Sequence, residues 1–453
     1  MTVDFGQGVK HVFYAYQPPD VSTFYNETEG SRVAKEPLFT GMFGKFINHS
    51  PETIRVFWDS GKPNDAPTYI SDVEPFGAAG TATYPGHQFF AATADDTVLQ
   101  RWTIVSTTSL YYYDPFDSPQ QAQKQLDAQQ FALYQMQLMN QFFAQRYREV
   151  TGTDWLALYQ QKLAPRYHMW RADALGQSFE IPTKEIHFVE LPDEKELQRG
   201  TSPYGPRPDE RAKMRRHRDK YPSMTLNMTV LSCSPRVFEI PNFLSDVEVE
   251  HILNVAGRMN LKQSTTQSGS SSRKTTDSRT RTSSNSWIAR NTDLVIDAIY
   301  RRAADLLQID EALLRWRRAT EIPEFTESTI SISERLQLVH YGPGQQYTPH
   351  HDFAMPGLVN YQPSRFATIL FYLNDDMTGG ETSFPRWLNA ETPHALKVKP
   401  EKGKAILFYN LLPDGNYDER SMHAALPVVD GEKWLTNLWV WDPLLDHTAA
   451  AHF

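Results

Sequence analysis

The sequence predicts a mainly β chain with helical support, and three observations lead there. Short runs rich in β-branched and aromatic residues, separated by Gly, Pro, Asn and Asp clusters, fill the chain to about Tyr113. A Gln-, Ala-, Leu- and Met-rich stretch with helical spacing follows. Short strand runs resume after Glu334, preceded by two helical segments. The expected organisation is a small β-sandwich over 1–115, a helical and polar linker region over 116–230, and a jelly-roll β-core with helical support over 231–453.

Each element has a local reason. Thr53–Trp58, Gln88–Ala91 and Leu99–Val105 read as strands. Ser118 followed by Pro119 reads as a helix N-cap with proline at the first helical position. One long helix then runs to Val150, with Leu126, Phe131, Leu133, Met136, Met139, Phe142 and Phe143 facing a partner or serving as structural spacer. Arg211, Lys213, Arg215, Arg216, Arg218 and Lys220 form a basic run, a solvated linker or an attractor of an acidic partner. Ser245-Asp246-Val247-Glu248 is a capping box opening a helix. Gln263–Ser286 reads as a loop of lid type. A second helix runs from Asp293 to Leu307, and Leu336–Tyr341, Thr368–Leu373, Ala405–Tyr409 and Leu435–Val440 are strands.

Composition narrows the chemistry. The net charge of −9 over 453 residues gives no support to nucleic acid as the main partner. Cys233 is the single cysteine, so an intramolecular disulfide and a thiolate zinc cluster are both excluded. Any metal is held by His, Asp or Glu. No apolar run is long enough for a membrane span. The N-terminus lacks the basic start and apolar stretch of a signal peptide, and the C-terminus carries no retention signal. Sequons at Asn26, Asn48 and Asn227 matter only on the secretory route, so compartment is left open between endoplasmic reticulum lumen and cytoplasm.

One constellation carries chemistry. His350-His351-Asp352 has a distant partner in His423. Two imidazoles and one carboxylate on one face of a metal leave positions open, the arrangement that hosts non-haem Fe(II) in oxygenases. On a strand, residues i and i+2 point the same way, so His350 and Asp352 can converge while His351 points elsewhere. Alone, a His-x-Asp pair is more often a surface or core histidine. Ten residues after His423 stands Lys433. An ammonium at the bottom of an apolar barrel needs an anion, which a dicarboxylate supplies. The alternative is an exposed strand lysine.

The span from Phe238 to Pro443 resembles the prolyl 4-hydroxylase catalytic domain, nearer the plant and algal form than the collagen enzyme's subunit. The matching blocks are Ser278–Ser284, Glu334–Tyr341, Tyr347–Asp352, Arg365–Thr368, Gly379–Pro385 and His423–Val428, in family order. The resemblance implies a double-stranded β-helix with Fe(II) on His350, Asp352 and His423, and Lys433 on the 5-carboxylate of 2-oxoglutarate. It implies Tyr341 and Thr368 beside the cosubstrate, and O2 and L-ascorbate as further requirements. Glu334, Arg365 and Trp439 resemble residues lining the peptide groove; the alternatives are a strand-edge ion pair and simple core. The expected partner is a proline-containing peptide or protein, with oligomeric state open. The family's additional cysteines are absent.

The N-terminal stretch resembles the β domain of the von Hippel–Lindau tumour suppressor, which recognises hydroxyproline. Asn48–Pro51, the strand through Trp58 and Gly77–Phe89 carry the likeness. It implies a hydroxyproline pocket at Tyr69, Thr83, His87 and Phe89, with Thr83 and Phe89 standing where the family has serine and tryptophan. The alternative is a sandwich that only supports the catalytic domain. Two further readings of the whole chain are a signalling hydroxylase acting on one regulatory protein and an inactive peptide-binding module.

Overall fold

The computed structural model describes residues 39–158, 168–188, 193, 195, 224–264, 281–317, 330–353, 364–389 and 394–442. It also gives the backbone of a short hairpin, β1 (Thr2–Asp4) with β2 (Lys10–Val12). The basic run at 211–220, the central part of the Gln263–Ser286 loop and the segment 354–363 lie outside the described residues.

The N-terminal unit is the expected sandwich. One sheet has the order β6-β3-β9, from β3 (Met42–Asn48), β6 (Ala78–Thr83) and β9 (Leu110–Tyr113). The other has the order β5-β4-β7-β8, from β4 (Ile54–Asp59), β5 (Thr68–Val73), β7 (Gln88–Ala92) and β8 (Val98–Thr103). Met42, Phe46, Ile54, Val56, Ala79, Phe89, Ala91 and Trp102 interdigitate between the sheets. β3 is buried at every residue because both its faces are covered. The Asn48 side chain is fully buried and donates to the carbonyls of Glu52, Val73 and Glu74, so in this fold its sequon is closed.

The long helix is two helices. α1 (Pro119–Gln125) starts on the Ser118 cap and ends at Leu126; α2 (Ala128–Thr151) restarts on an Asp127–Gln130 capping box. The second cap wins because Asp127 leaves helical geometry to accept from Gln130 N–H. Its buried face is Tyr134, Ala144, Tyr147 and Thr151. Met139 and Phe142 are 64% and 61% exposed, so the expected apolar stripe is rotated.

The region beyond differs from a plain linker. β10 (Ser178–Pro182) pairs with β11 (Thr225–Cys233), and both join the large C-terminal sheet. That sheet runs β10-β11-β12-β21-β17-β24-β15-β14-β13 among the described residues. Its other members are β12 (Arg236–Ile240), β13 (Lys262–Gln263), β14 (Ser284–Ile288), β15 (Leu336–Tyr341), β17 (Arg365–Tyr372), β21 (Ala405–Tyr409) and β24 (Lys433–Trp441). Facing it is a smaller sheet, β16-β22-β19-β20, from β16 (Tyr347–His350), β19 (Thr382–Phe384), β20 (Leu396–Val398) and β22 (His423–Ala425). A ribbon of β18 (Thr378–Gly379) and β23 (Val428–Asp430) closes one end.

The two sheets form a double-stranded β-helix, as expected. Helices α3 (Asp246–Gly257) and α4 (Leu294–Leu307) back the larger sheet. α3 starts on its expected cap, Ser245, and α4 starts on an Asp293 cap. No described helix is long and apolar enough to cross a membrane.

Candidate active site

Two strands of the smaller sheet deliver the imidazoles. His350 closes β16, His423 opens β22, and the two are directly opposite in the antiparallel register, ring centroids 4.4 Å apart. β16 ends before Asp352, so a bend after His350, rather than strand alternation, brings the carboxylate in. One ligand atom from each of His350, Asp352 and His423 lies within 4.8 Å of the others.

The protonation pattern suits a metal. His350 Nδ1 donates to the Thr348 carbonyl at 2.8 Å and His423 Nδ1 to the Ser421 carbonyl at 3.0 Å. A carbonyl only accepts, so both Nδ1 atoms hold protons and the Nε2 atoms are the ones left to face Asp352. His423 Nε2 lies 3.5 Å from Asp352 Oδ2, and His350 Nε2 lies 3.8 Å from Asp352 Oδ1. Burial, reinforced by His423, lowers the His350 pKa well below the usual imidazole range. For Asp352 burial acts upward, but His423, His350 and Arg365 together hold the carboxyl below its usual range. Two imidazole Nε2 atoms and one carboxylate facing one another are the donor set of an open-faced Fe(II) site.

Behind the carboxylate sits a rigid layer. Thr368 Oγ1 and Trp439 Nε1 donate to Asp352 Oδ2 at 2.8 and 2.9 Å. Asn410 donates in turn to Thr368 Oγ1 at 3.0 Å. Thr368 therefore orients the acid instead of lining the cavity, where Thr382 stands. Arg365 makes a two-pronged bond to Glu334, at 2.7 and 3.1 Å, and its guanidinium lies 3.7 Å from the Trp439 ring centroid. All three line the cavity, so the ion pair and the groove wall are the same object.

Lys433 is completely buried at the start of β24. Its ammonium donates to the Gly380 carbonyl and lies 5.6 Å from the ring centroids of both Tyr341 and Tyr372. It has no ion-pair partner among the described residues, and burial lowers its pKa to about 7 despite Glu381. Lys433 is buried and lines the cavity of the triad, which rules out the exposed-lysine alternative. Tyr341 lines the same cavity, its hydroxyl pushed up to about 12 by burial.

Sequence reasoning assigned no role to Arg281, Gln337 or Tyr347. Arg281 sits 4.6 Å above the Tyr347 ring, which stacks on His350 at 3.6 Å. The signal was present in the Ser278–Ser284 block, but which side chain turns inward depends on the fold. Phe43, Gly80, Thr81 and Ala82 of the N-terminal unit also reach this cavity, whose volume is about 400 Å³.

The N-terminal candidates are only partly together. Thr83 Oγ1 and His87 Nδ1 are 3.2 Å apart, with Trp58 5.5 Å from the His87 ring. Phe89 is buried in the sandwich core against Phe46. Tyr69 pairs with Phe57, which stacks on Phe90, on the sheet face opposite Trp58 and Phe89. The bulge between Val56 and Phe57 in the β4–β5 pairing accompanies that placement.

Residues 336–441 match the family described as the 2OG-Fe(II) oxygenase superfamily. "Probable prolyl 4-hydroxylase 3" of Arabidopsis thaliana is 34% identical over 224 residues, which is 47% of this chain and 71% of that protein. Prolyl 4-hydroxylase subunit alpha-1 of Rattus norvegicus is 32% identical over 211 residues, 46% of this chain and 34% of that protein. The viral collagen prolyl hydroxylase of Paramecium Bursaria Chlorella virus-1, solved with 2OG, is 27% identical, with a TM-score of 0.33, covering 45% of this chain and 95% of that one. The chain belongs to the prolyl 4-hydroxylases, oxygenases that use Fe(II), 2-oxoglutarate and O2.

Proposed function

We propose that this protein hydroxylates prolyl residues of peptides, holding Fe(II) on His350 Nε2, His423 Nε2 and Asp352 and 2-oxoglutarate on Lys433. The observation that carries this reading is one cavity containing both the converged triad and a buried ammonium without an ion-pair partner among the described residues. In the overall reaction one atom of O2 enters the prolyl ring and the other enters succinate, with loss of CO2. The iron, when bound, supplies the oxygen-activating chemistry.

The chain's own residues do the rest. Thr348 and Ser421 fix the imidazole tautomers, so two lone pairs are presented without reorganisation. Thr368 and Trp439 fix the carboxylate plane. Lys433 sets the distance at which a dicarboxylate spans ammonium and metal. Glu334, Arg365 and Trp439 form a stiff wall against which a prolyl ring can be oriented.

The test is mass spectrometry of a poly(L-proline) peptide and of a single-proline peptide after incubation with Fe(II), 2-oxoglutarate and O2. Gain of one oxygen is expected, with the preferred peptide separating a repetitive substrate from a single-site one. His350→Ala should abolish the gain; activity retained in that variant overturns the metal assignment.

A second reading concerns Thr83 and His87 as a hydroxyproline reader. Their mutual contact supports it, as does the indole N–H of Trp58, buried beside His87 without a hydrogen-bond partner. Calorimetry of the full chain with proline and hydroxyproline peptides tests it. A preference for hydroxyproline that disappears in His87→Ala is expected, and equal heats for both peptides overturn it.

A further inference from the structure

The cavity of the triad is not walled by the catalytic sheets alone. Phe43, Gly80, Thr81 and Ala82 of the N-terminal sandwich line it, and all lie outside the 336–441 family segment. Strand alternation accounts for Phe43, Gly80 and Ala82 but not for Thr81, which shares the face of Ala79. Met42, Phe46 and Ala79 turn into the sandwich core, which leaves Phe43, Lys45, Gly80 and Ala82 on the opposite face, toward the catalytic unit. Phe43 packs on His351, Phe353 and Tyr417, with ring centroids 5.8, 5.2 and 6.3 Å away. Its ring covers Gly80 so closely that a Cβ there would clash. Ala82, paired with Phe43, is exposed. Among the described residues β6 pairs only with β3, so its outer edge carries unpaired backbone groups.

A second feature of the same cavity asks for a ligand. Arg281 is 8% exposed, and its Nε has no hydrogen-bond partner. Nη2 donates to Gln337 Oε1 at 3.2 Å, and no carboxylate pairs with the guanidinium among the described residues. Arg281 lines the cavity, so its guanidinium is placed to donate to an acceptor held there. Prolyl peptides lack N–H groups at proline but keep every carbonyl, and their extended backbone makes no internal hydrogen bonds.

We propose that the outer face and free edge of β6, Gly80 to Ala82, form the wall along which the substrate peptide lies. The N-terminal sandwich then selects which residues flank the target proline. The inference rests on the prolyl-hydroxylase reading above. The occupant is an extended, proline-bearing peptide, with carbonyls toward Arg281 and the β6 edge. Any peptide that reaches the triad shares its cavity with β6, which is why the substrate, and no separate partner, is the occupant.

The test is a graded series, Ala82→Val, Ala82→Leu and Ala82→Trp, in the full chain loaded with Fe(II). Succinate release is followed against poly(L-proline) peptide and, separately, against 2-oxoglutarate. The peptide KM should rise with side-chain size, by about tenfold or more at Trp, while the KM for 2-oxoglutarate stays level. Because Ala82 is exposed, the valine variant reads the effect even if the tryptophan variant folds poorly. A peptide KM constant across the series, or an equal rise in both KM values, overturns the wall and leaves the hydroxylase reading standing. A wild-type chain that hydroxylates no proline peptide overturns that reading and the wall with it.

Discussion

Enclosure of an ammonium disfavours its charged form, and at Lys433 this is visible as a pKa lowered to about 7 by burial, with only Glu381 acting upward. The facing phenols do not compete, since burial pushes Tyr341 up to about 12 and Tyr372 upward as well. The protonated lysine is the form that holds a carboxylate. As pH rises through about 7 the ligand-free site loses that proton, so the KM for 2-oxoglutarate should climb on the alkaline side. Lys433→Met should flatten the profile and raise KM about 10- to 100-fold at neutral pH, the loss of one charge-assisted hydrogen bond. A flat wild-type profile would count against it. Thr368→Val tests the layer behind Asp352: iron affinity, titrated by metal-dependent fluorescence quenching, should fall about 10- to 100-fold. The triad was legible because the His350–Asp352 pair has His423 and Lys433 downstream at fitting spacing, which the pair alone does not offer. The resemblance places Thr368 beside the cosubstrate, and only the completed sheet shows its hydroxyl bonded to Asp352.

At the scale of elements, a fully buried ion pair ties α3 to α4. Arg302 donates to Glu248 at 2.6 and 3.1 Å and to the carbonyls of Phe243 and Ile186, with both charged side chains fully enclosed. Glu248 also caps the N–H of Ser245, joining helix start and helix–helix contact in one group. Arg302→Met strands a buried carboxylate and should cost about 3–5 kcal/mol by urea unfolding, more than the double variant with Glu248→Met. Burial acts upward on Glu248, but Arg302 holds its carboxyl below the ordinary 4.5. A depressed folded-state pKa places this stabilisation fully above pH 4.5 and removes it as acid carries the pH through the folded value. The Ser245 capping box, β15 and β21 were readable from local pattern, since short apolar runs between Gly and Pro turns mark their ends. β11 was not, although its burial alternates with period two. It follows directly on a polar, basic stretch, and its pairing partners β10 and β12 declare it a strand only in three dimensions.

For the whole molecule the decisive contact joins residues that local pattern cannot relate. Phe43 belongs to the sandwich by sequence and to the catalytic core by packing, 1% exposed among Phe353 and Tyr417. Around it the Phe43 N–H donates to Glu419 at 3.0 Å, Arg386 pairs with Glu419 at 3.2 Å, and Arg386 donates to the Gly41 carbonyl. Two β-units joined in this way should unfold as one cooperative body, because neither can leave without exposing the other's aromatic cluster. Phe43→Ala removes the ring and leaves a cavity that β6 and His351 cannot fill, at a cost of about 3–5 kcal/mol. Differential scanning calorimetry should show the single wild-type transition separate into two in this variant. The lower one should be the sandwich, whose core is the smaller. Loss of the Phe43 buttress should also loosen Gly80 and Ala82 over the cavity. The peptide KM of Phe43→Ala should therefore rise at temperatures where the catalytic unit is still fully folded. A variant that melts in one transition at the wild-type temperature would mean that the two units are coupled elsewhere.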